Sequence, residues 1–190
     1  MRKIILTLAV TLDGFIEGPD GELDWLVRDE ETDFSDILTD ILHDKDIIFY
    51  GRVSYEKWGN SQPSENASQK LRDAYKLMHN KTKYVFSRTK TGDNTNAIFI
   101  NSDIKEKVLK IKEQPGKDIW LYGGAKIITT LLNLDLVDEY RMAVHPVILG
   151  KGKRLFENIE KRHTLALVEV KGYNSGIILE RYITSRYIDS

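Results

Sequence analysis

Trp120-Leu121-Tyr122-Gly123-Gly124-Ala125-Lys126 is the stretch that decides the fold, because an apolar run stops at two glycines and a helical pattern follows over residues 127–132. Two adjacent glycines remove both Cβ atoms from the turn, so another molecule can approach the backbone closely and positive φ is allowed. The first N–H groups of the following helix have no partner within the helix and suit a diphosphate. Glycines also punctuate ordinary tight turns, so the pair indicates a phosphate site only if similar turns accompany it.

The bulk properties of the chain exclude several classes of partner. The 190 residues are 41% hydrophobic and 30% charged, which predicts a single globular domain over residues 1–190. A net charge of −1 offers no general attraction to nucleic acid or to an anionic membrane, and no apolar run is long enough to span a bilayer. The absence of cysteine excludes disulfides and thiolate metal sites and fits a cytoplasmic protein. The four histidines form no closely spaced ligand cluster, so no metal is predicted.

Strands and helices alternate along most of the chain, and strands alone follow at its end. Buried strands are predicted at residues 2–10, 46–50, 83–87, 97–100 and 119–122, and helices at residues 32–43, 53–58, 65–79 and 103–113. Three further strands are predicted at residues 137–144, 164–170 and 176–184. The expected fold is therefore α/β, with a mostly parallel central sheet, antiparallel C-terminal strands and flanking helices.

Polar and glycine-rich turns follow four of these strands. They lie at residues 11–16, 51–56, 87–89 and 122–126. In a parallel sheet, ligands bind beyond the carboxyl ends of the strands. Each turn by itself is explained equally well by ordinary turn and cap chemistry. Their shared position favours one ligand that carries several phosphates.

Four motifs in this order resemble those of dihydrofolate-reductase-like proteins. They are Thr11-Leu12-Asp13-Gly14-Phe15-Ile16, Gly51-Arg52-Val53-Ser54-Tyr55-Glu56, Tyr122-Gly123-Gly124 and Pro146-Val147-Ile148-Leu149-Gly150-Lys151-Gly152. The closer resemblance is to the branch that includes the reductase domain of bifunctional riboflavin-biosynthesis proteins, the RibD C-terminal domain. It covers nearly the whole chain and implies a single-domain fold of the dihydrofolate-reductase type.

The resemblance implies that NADPH lies across the strand ends. Gly51, Arg52, Val53 and Ser54 would hold phosphates at the start of their helix, and Ser87, Arg88 and Thr89 would meet the adenosine 2′-phosphate. Gly123, Gly124, Ala125 and Lys126 would cradle the diphosphate, and Tyr122 before them is also expected to bind the cofactor. Ala9, Phe15 and Ile16 would flank the nicotinamide. The loop at residues 13–24 would be the mobile lid of the family, although an ordinary surface loop has the same composition.

The proton donor is not settled by the resemblance. Dihydrofolate reductases place one carboxylate on the first helix, and Asp36 matches that position by its distance from Gly51. The helical pattern instead predicts a buried stripe of Phe34, Ile37, Leu38 and Ile41, which puts Asp33 and Asp40 on or beside that side and leaves Asp36 in solvent. Asp13 matches an acid of the riboflavin branch, and its alternative reading is a turn residue before Gly14.

The expected function is an NADPH-dependent reductase that transfers a hydride to a C=N or C=O bond of a small heterocyclic substrate. A ribosylamino-pyrimidine, as in riboflavin synthesis, or a pteridine would be such a substrate. The alternative is a non-catalytic nucleotide-binding or sensor protein on the same fold. A homodimer is expected through the apolar C-terminal strands, since sheet margins of this kind need cover.

Overall fold

One eight-stranded sheet organises the protein. The computed structural model describes residues 1–27, 33–90 and 96–185. The strands are β1 (Ile4–Thr11), β2 (Phe15–Glu17), β3 (Lys45–Gly51), β4 (Thr82–Phe86), β5 (Ile98–Ile100), β6 (Asp118–Gly123), β7 (Glu139–His145), β8 (Lys153–Arg154), β9 (Leu165–Gly172) and β10 (Ile178–Thr184). The sheet order is β5-β4-β3-β6-β1-β7-β10-β9, and β2 and β8 form a separate two-stranded sheet.

Helices cover both faces of this sheet. They are α1 (Phe34–His43), α2 (Arg52–Ser54), α3 (Gln69–His79), α4 (Ile104–Glu113) and α5 (Ala125–Asn133), and a π-helical segment, Tyr55–Gly59, continues α2. One core joins α4 and α5 to the sheet, and a second joins α1 and α3 to the opposite face. β1 lies at the centre, parallel to both β6 and β7, and its apolar run is buried between the layers.

The C-terminal strands complete the predicted mixed sheet. β10 runs antiparallel to β7 and to β9, whereas every other pair in the large sheet is parallel. This confirms the α/β class with a mostly parallel sheet and antiparallel C-terminal strands. β9 forms the margin, where Leu167, Val168 and Val170 are exposed.

The first helix is rotated relative to its predicted buried stripe. Ser35, Leu38 and Leu42 face the core, whereas Phe34 is 58% and Ile37 is 42% exposed. The physical reason is that α1 packs against α3 as well as the sheet, and the two neighbours together choose which side is buried. The helix begins at Phe34, and Asp33 is its N-cap. Its predicted start at residue 32 lies outside the described residues, as do the acidic residues 29–31.

Candidate active site at the carboxyl edge of the sheet

Two of the predicted phosphate turns lie in contact with each other. A Cβ atom placed on Gly51 would be 3.6 Å from the Gly123 carbonyl oxygen and 3.6 Å from the Gly124 nitrogen. A Cβ atom on Gly124 would be only 2.9 Å from the Ser54 hydroxyl. Because β3 and β6 are parallel neighbours, their carboxyl ends bring residues 51–54 and 122–126 together at one edge.

The Gly123-Gly124 turn presents backbone rather than side chains. Gly123 has φ +128°, a left-handed value that favours glycine, and the peptide bond between the two glycines is cis. Gly124 is the N-cap of α5 and gives the helix no side-chain hydrogen bond. The first N–H groups of α5, at Ala125 and Lys126, are therefore directed at the space beyond the strand ends.

The turn that follows β4 is held by its own serine. The Ser87 hydroxyl oxygen accepts hydrogen bonds from the backbone N–H groups of Thr89, at 3.3 Å, and Lys90, at 2.9 Å. Ser87 is buried, whereas Arg88 and Thr89 are exposed. The serine thus shapes the turn, and the cation beside it is available to an anion.

The loop at residues 13–24 crosses the strand ends. Its strand β2 pairs antiparallel with β8, a two-stranded sheet that the sequence did not predict. A Cβ atom on Gly21 would lie 2.8 Å from the Lys57 Nζ atom, so the loop reaches from the end of β1 to the segment after β3. Burial raises the pKa of Tyr122, and the nearby Tyr75 and Glu17 add to this shift. These contacts hold the loop across this edge, and its role as a lid stays a prediction.

Asp13 is held by neutral donors at the start of that loop. Thr11 donates its hydroxyl hydrogen to Asp13 at 2.6 Å, and the backbone N–H groups of Leu149 and Gly150 donate at 3.1 and 2.7 Å. These hydrogen bonds, led by that of Thr11, lower the pKa of Asp13 to about 2. A carboxyl group with this pKa is ionised at neutral pH, so this geometry favours a role in joining β1 to the 146–150 loop over proton donation.

Asp36 lies on the outer side of α1 in an ion pair. Its Oδ2 atom is 2.5 Å from Lys70 Nζ at the start of α3, and both side chains are about half exposed. Asp33 caps the same helix by accepting from the backbone N–H of Ser35 at 2.8 Å. Among the described hydrogen bonds, none joins Asp36 to Asp13, so the structure does not bring the two predicted acids together.

The three residues expected beside the nicotinamide differ in their exposure. Ala9 on β1 and Ile16 on β2 are half-buried, whereas Phe15 is buried and the Arg154 guanidinium lies 4.6 Å from its ring centroid. Phe15 therefore anchors the β2–β8 sheet, and Ala9 and Ile16 keep accessible surface.

His145 is a residue at this edge that sequence reasoning missed. It ends β7 directly beside Thr11 of β1, its Nδ1 atom accepts from the Val27 backbone N–H at 3.0 Å, and Trp25 packs edge-on at 5.4 Å. Burial lowers the pKa of His145, which favours the neutral form that accepts this bond. Its position directly before the Pro146 motif was the available signal.

An aromatic cluster lies beneath the Gly-Gly turn, on the face covered by α1 and α3. The ring of Tyr122 lies 4.7 Å from that of Tyr50 and 5.0 Å from that of Trp120, and Tyr55 packs against Tyr50. Tyr122 is only half-buried, so this cluster presents an aromatic surface at the strand ends.

Other kinds of site find no support in the described parts of the chain. Groups of three or more side chains suited to hold a metal ion are absent from these residues. Of the helices in the described ranges, none has the length and apolar character needed to cross a membrane. The prediction that the protein needs no metal stays a prediction.

One known protein shares much of this sequence, and two solved structures share this fold. Protein YyaP of Bacillus subtilis strain 168, which is uncharacterized, is 50% identical over 177 residues, 93% of this chain and 92% of its own. The deaminase/5-amino-6-(5-phosphoribosylamino)uracil reductase of Thermotoga maritima has the same fold, with a TM-score of 0.67 and 16% identity over 96% of this chain and 56% of that one. Dihydrofolate reductase of Enterococcus faecalis, solved with NADP(H), superposes with a TM-score of 0.61 and 15% identity over 96% of each chain.

The family assignment rests on nearly the full length of the sequence. The pattern of the RibD C-terminal domain matches residues 2–179. This range includes the four motifs at the strand ends and the antiparallel strands up to β10. The chain belongs to the RibD C-terminal domain family, whose reductase-type fold it adopts.

Proposed function

We propose that the protein is an NADPH-dependent reductase of a small heterocyclic substrate. The observation that carries the proposal is the contact between the Gly51–Ser54 and Gly123–Gly124 turns at the carboxyl edge of the sheet. The superposition with a dihydrofolate reductase that was solved with NADP(H) supports the choice of cofactor.

The residues at this edge fit the chemical parts of NADPH. The two glycines let a diphosphate approach the backbone N–H groups that begin α5, and Ser54 can donate its hydroxyl hydrogen beside them. Arg88 is exposed beyond β4, where a guanidinium can bind the 2′-phosphate with two parallel hydrogen bonds. NADPH, when bound, supplies the hydride. The loop at residues 13–24 would exclude water from the reacting groups.

The substrate would lie against the aromatic surface formed around Tyr122. A planar heterocycle can stack on such a surface, and the half-buried Thr7 and Ala9 of β1 lie on the same side of the sheet as Trp120 and Tyr122. The uracil reductase named for the Thermotoga maritima relative makes a ribosylamino-pyrimidine the first candidate. A pteridine is the second, by likeness to dihydrofolate reductase.

A second candidate function, nucleotide binding without efficient turnover, is favoured by the state of the two predicted acids. Asp13 is hydrogen-bonded to neutral donors and Asp36 is paired with Lys70. Binding of NADPH without oxidation in the presence of pyrimidine or pteridine substrates would support this second function.

NADPH is expected to raise the stability of the protein measurably. A ligand that binds only the folded state adds ~2.7 kcal/mol at a concentration 100 times its Kd. For a chain of this size the melting temperature would rise by roughly 5–10 °C. The measurement is a thermal melt with millimolar NADPH, with AMP as the control ligand. Absence of both a melting shift and a change in NADPH fluorescence would refute the cofactor assignment.

Asp36→Asn tests the proposed proton donor. If Asp36 turns from Lys70 toward bound substrate, the substitution should lower hydride transfer about 100-fold or more and change its pH profile, while NADPH affinity stays nearly unchanged. Asp40→Asn, an exposed acid on the same helix, is the matched control. If Asp36→Asn turns over substrate as fast as the wild type, the role of proton donor passes to Asp33, Asp13 or a water molecule.

We also propose a homodimer formed through the β9 margin. Leu167, Val168 and Val170 on β9 and Ile178 and Leu179 on β10 are exposed apolar side chains on neighbouring strands. A second copy of the chain would cover both this apolar surface and the unpaired strand edge. Light scattering that finds only monomer at about tens of micromolar protein would reject the dimer.

A further inference from the structure

Glu56 joins two cations that lie far apart in the sequence. Its Oε2 atom is 2.6 Å from Arg52 Nη1, one helical turn earlier, and its Oε1 atom is 2.6 Å from Lys90 Nζ, beyond β4. Both carboxylate oxygens are therefore engaged. The hydrogen bond from Lys90, followed by that from Arg52, lowers the pKa of Glu56, so the group carries its charge.

This bridge lies at the turn proposed to bind the adenosine 2′-phosphate. Lys90 donates its backbone N–H to Ser87, the serine that shapes the turn and precedes Arg88. The sequence places no acid between Tyr84 and Thr91. The fold supplies one from elsewhere, because β3 and β4 are parallel neighbours and the segment after β3 brings Glu56 to the turn after β4.

A carboxylate between two cations takes the place that a phosphate would occupy. A 2′-phosphate has nearly two negative charges and could bind Arg52 and Lys90 only by displacing Glu56 or by lying against a like charge. The 2′-hydroxyl of NADH has no charge, and it can donate a hydrogen bond to a carboxylate.

We propose that Glu56 is a specificity-determining residue of the coenzyme site, an internal anion that competes with the 2′-phosphate for Arg52 and Lys90. This inference rests on the proposed function, and it adds that the preference for NADPH is reduced by the protein itself. Arg88 supplies the attraction for the phosphate, and Glu56 opposes it.

Glu56→Gln tests the competition because it removes the charge and retains a carbonyl oxygen that can accept from a ribose hydroxyl. We expect the affinity for NADPH and for adenosine 2′,5′-bisphosphate to rise about three- to tenfold. This is the change in affinity that corresponds to the free energy of partly exposed ion pairs, such as those of Glu56. The affinities for NADH and AMP should stay within about twofold of wild type, because neither ligand has a 2′-phosphate. Binding is measured by calorimetry, so the result does not depend on turnover.

Glu106→Gln is the matched control for the change in net charge. Glu106 pairs with Lys110 at 2.7 Å across one turn of α4, and it is exposed like Glu56. Its substitution should leave the affinity for all four ligands unchanged. An equal gain in NADPH affinity in both variants would indicate general electrostatics and overturn the proposal.

The outcomes separate this inference from the proposed function. Unchanged or weakened NADPH binding in Glu56→Gln, with normal NADPH binding in the wild type, rejects competition by Glu56 and leaves the reductase proposal standing. If the wild type binds neither dinucleotide nor adenosine 2′,5′-bisphosphate, both proposals are wrong. A thermal melt of each variant without ligand excludes unfolding as the cause.

Discussion

Asp138→Ala is expected to lower the free energy of unfolding by about 3–5 kcal/mol, the largest loss that we predict for one substitution. Its carboxylate lies 2.6 Å from Lys112 Nζ, with side chains that are 1% and 6% exposed, and it also accepts the Ile4 backbone N–H at 2.7 Å. Removing it leaves the ammonium of Lys112 and the N–H of Ile4 without this partner in the interior.

Urea denaturation measures this loss as a lower midpoint at unchanged slope. Glu106→Ala is the control, since it breaks the exposed pair with Lys110 and should cost less than about 1 kcal/mol. A loss below about 1 kcal/mol in Asp138→Ala would contradict the interpretation of the pair as a buried tie between α4 and the start of β7.

Arg88→Ala is expected to weaken NADPH binding about ten- to hundredfold and to leave NADH binding nearly unchanged. Arg88 is exposed in the turn beyond β4, next to the buried Ser87 that holds the turn in shape. A charged hydrogen bond from Arg88 to the 2′-phosphate contributes about 1.5–3 kcal/mol to binding. NADH has no 2′-phosphate, so its binding does not include this hydrogen bond.

Calorimetric titration of both dinucleotides into wild type and variant gives the four affinities needed. Arg162→Ala, an exposed arginine between β8 and β9, controls for the loss of one positive charge. Equal weakening of NADPH and NADH, or a wild type that does not distinguish them, would refute the role of Arg88.

The strand ends were predictable because local chemistry acts within a few residues. Apolar runs that stop at glycine or at hydroxyl residues predicted where β1, β3, β4 and β6 end, to within one or two residues. The side of a helix that becomes buried was less predictable. The hydrophobic pattern of α1 predicted that Phe34 and Ile37 are buried. Because α1 packs against α3 through a different side, both residues are exposed.

The acids show the same limit at the candidate site. A sequence motif matches Asp13 and Asp36 to their positions, but their states depend on distant partners: Leu149 and Gly150 for Asp13, and Lys70 for Asp36. Glu56 shows the same limit, since one partner, Arg52, is four residues away in the sequence, whereas the other, Lys90, is 34 residues away.

The sequence by itself determined the α/β class, the order of the strands in the main sheet along the chain and the glycine turns at their carboxyl ends. It also determined the resemblance to the RibD C-terminal domain family, which the comparison over residues 2–179 confirms. These properties follow from periodicity and turn chemistry, which are local. Only the tertiary structure decided that Gly51 contacts Gly124, that Gly21 of the loop at residues 13–24 approaches Lys57 and that Glu56 lies between Arg52 and Lys90. Such contacts join residues far apart along the chain, and the pairing of parallel strands, rather than any local preference, brings them together.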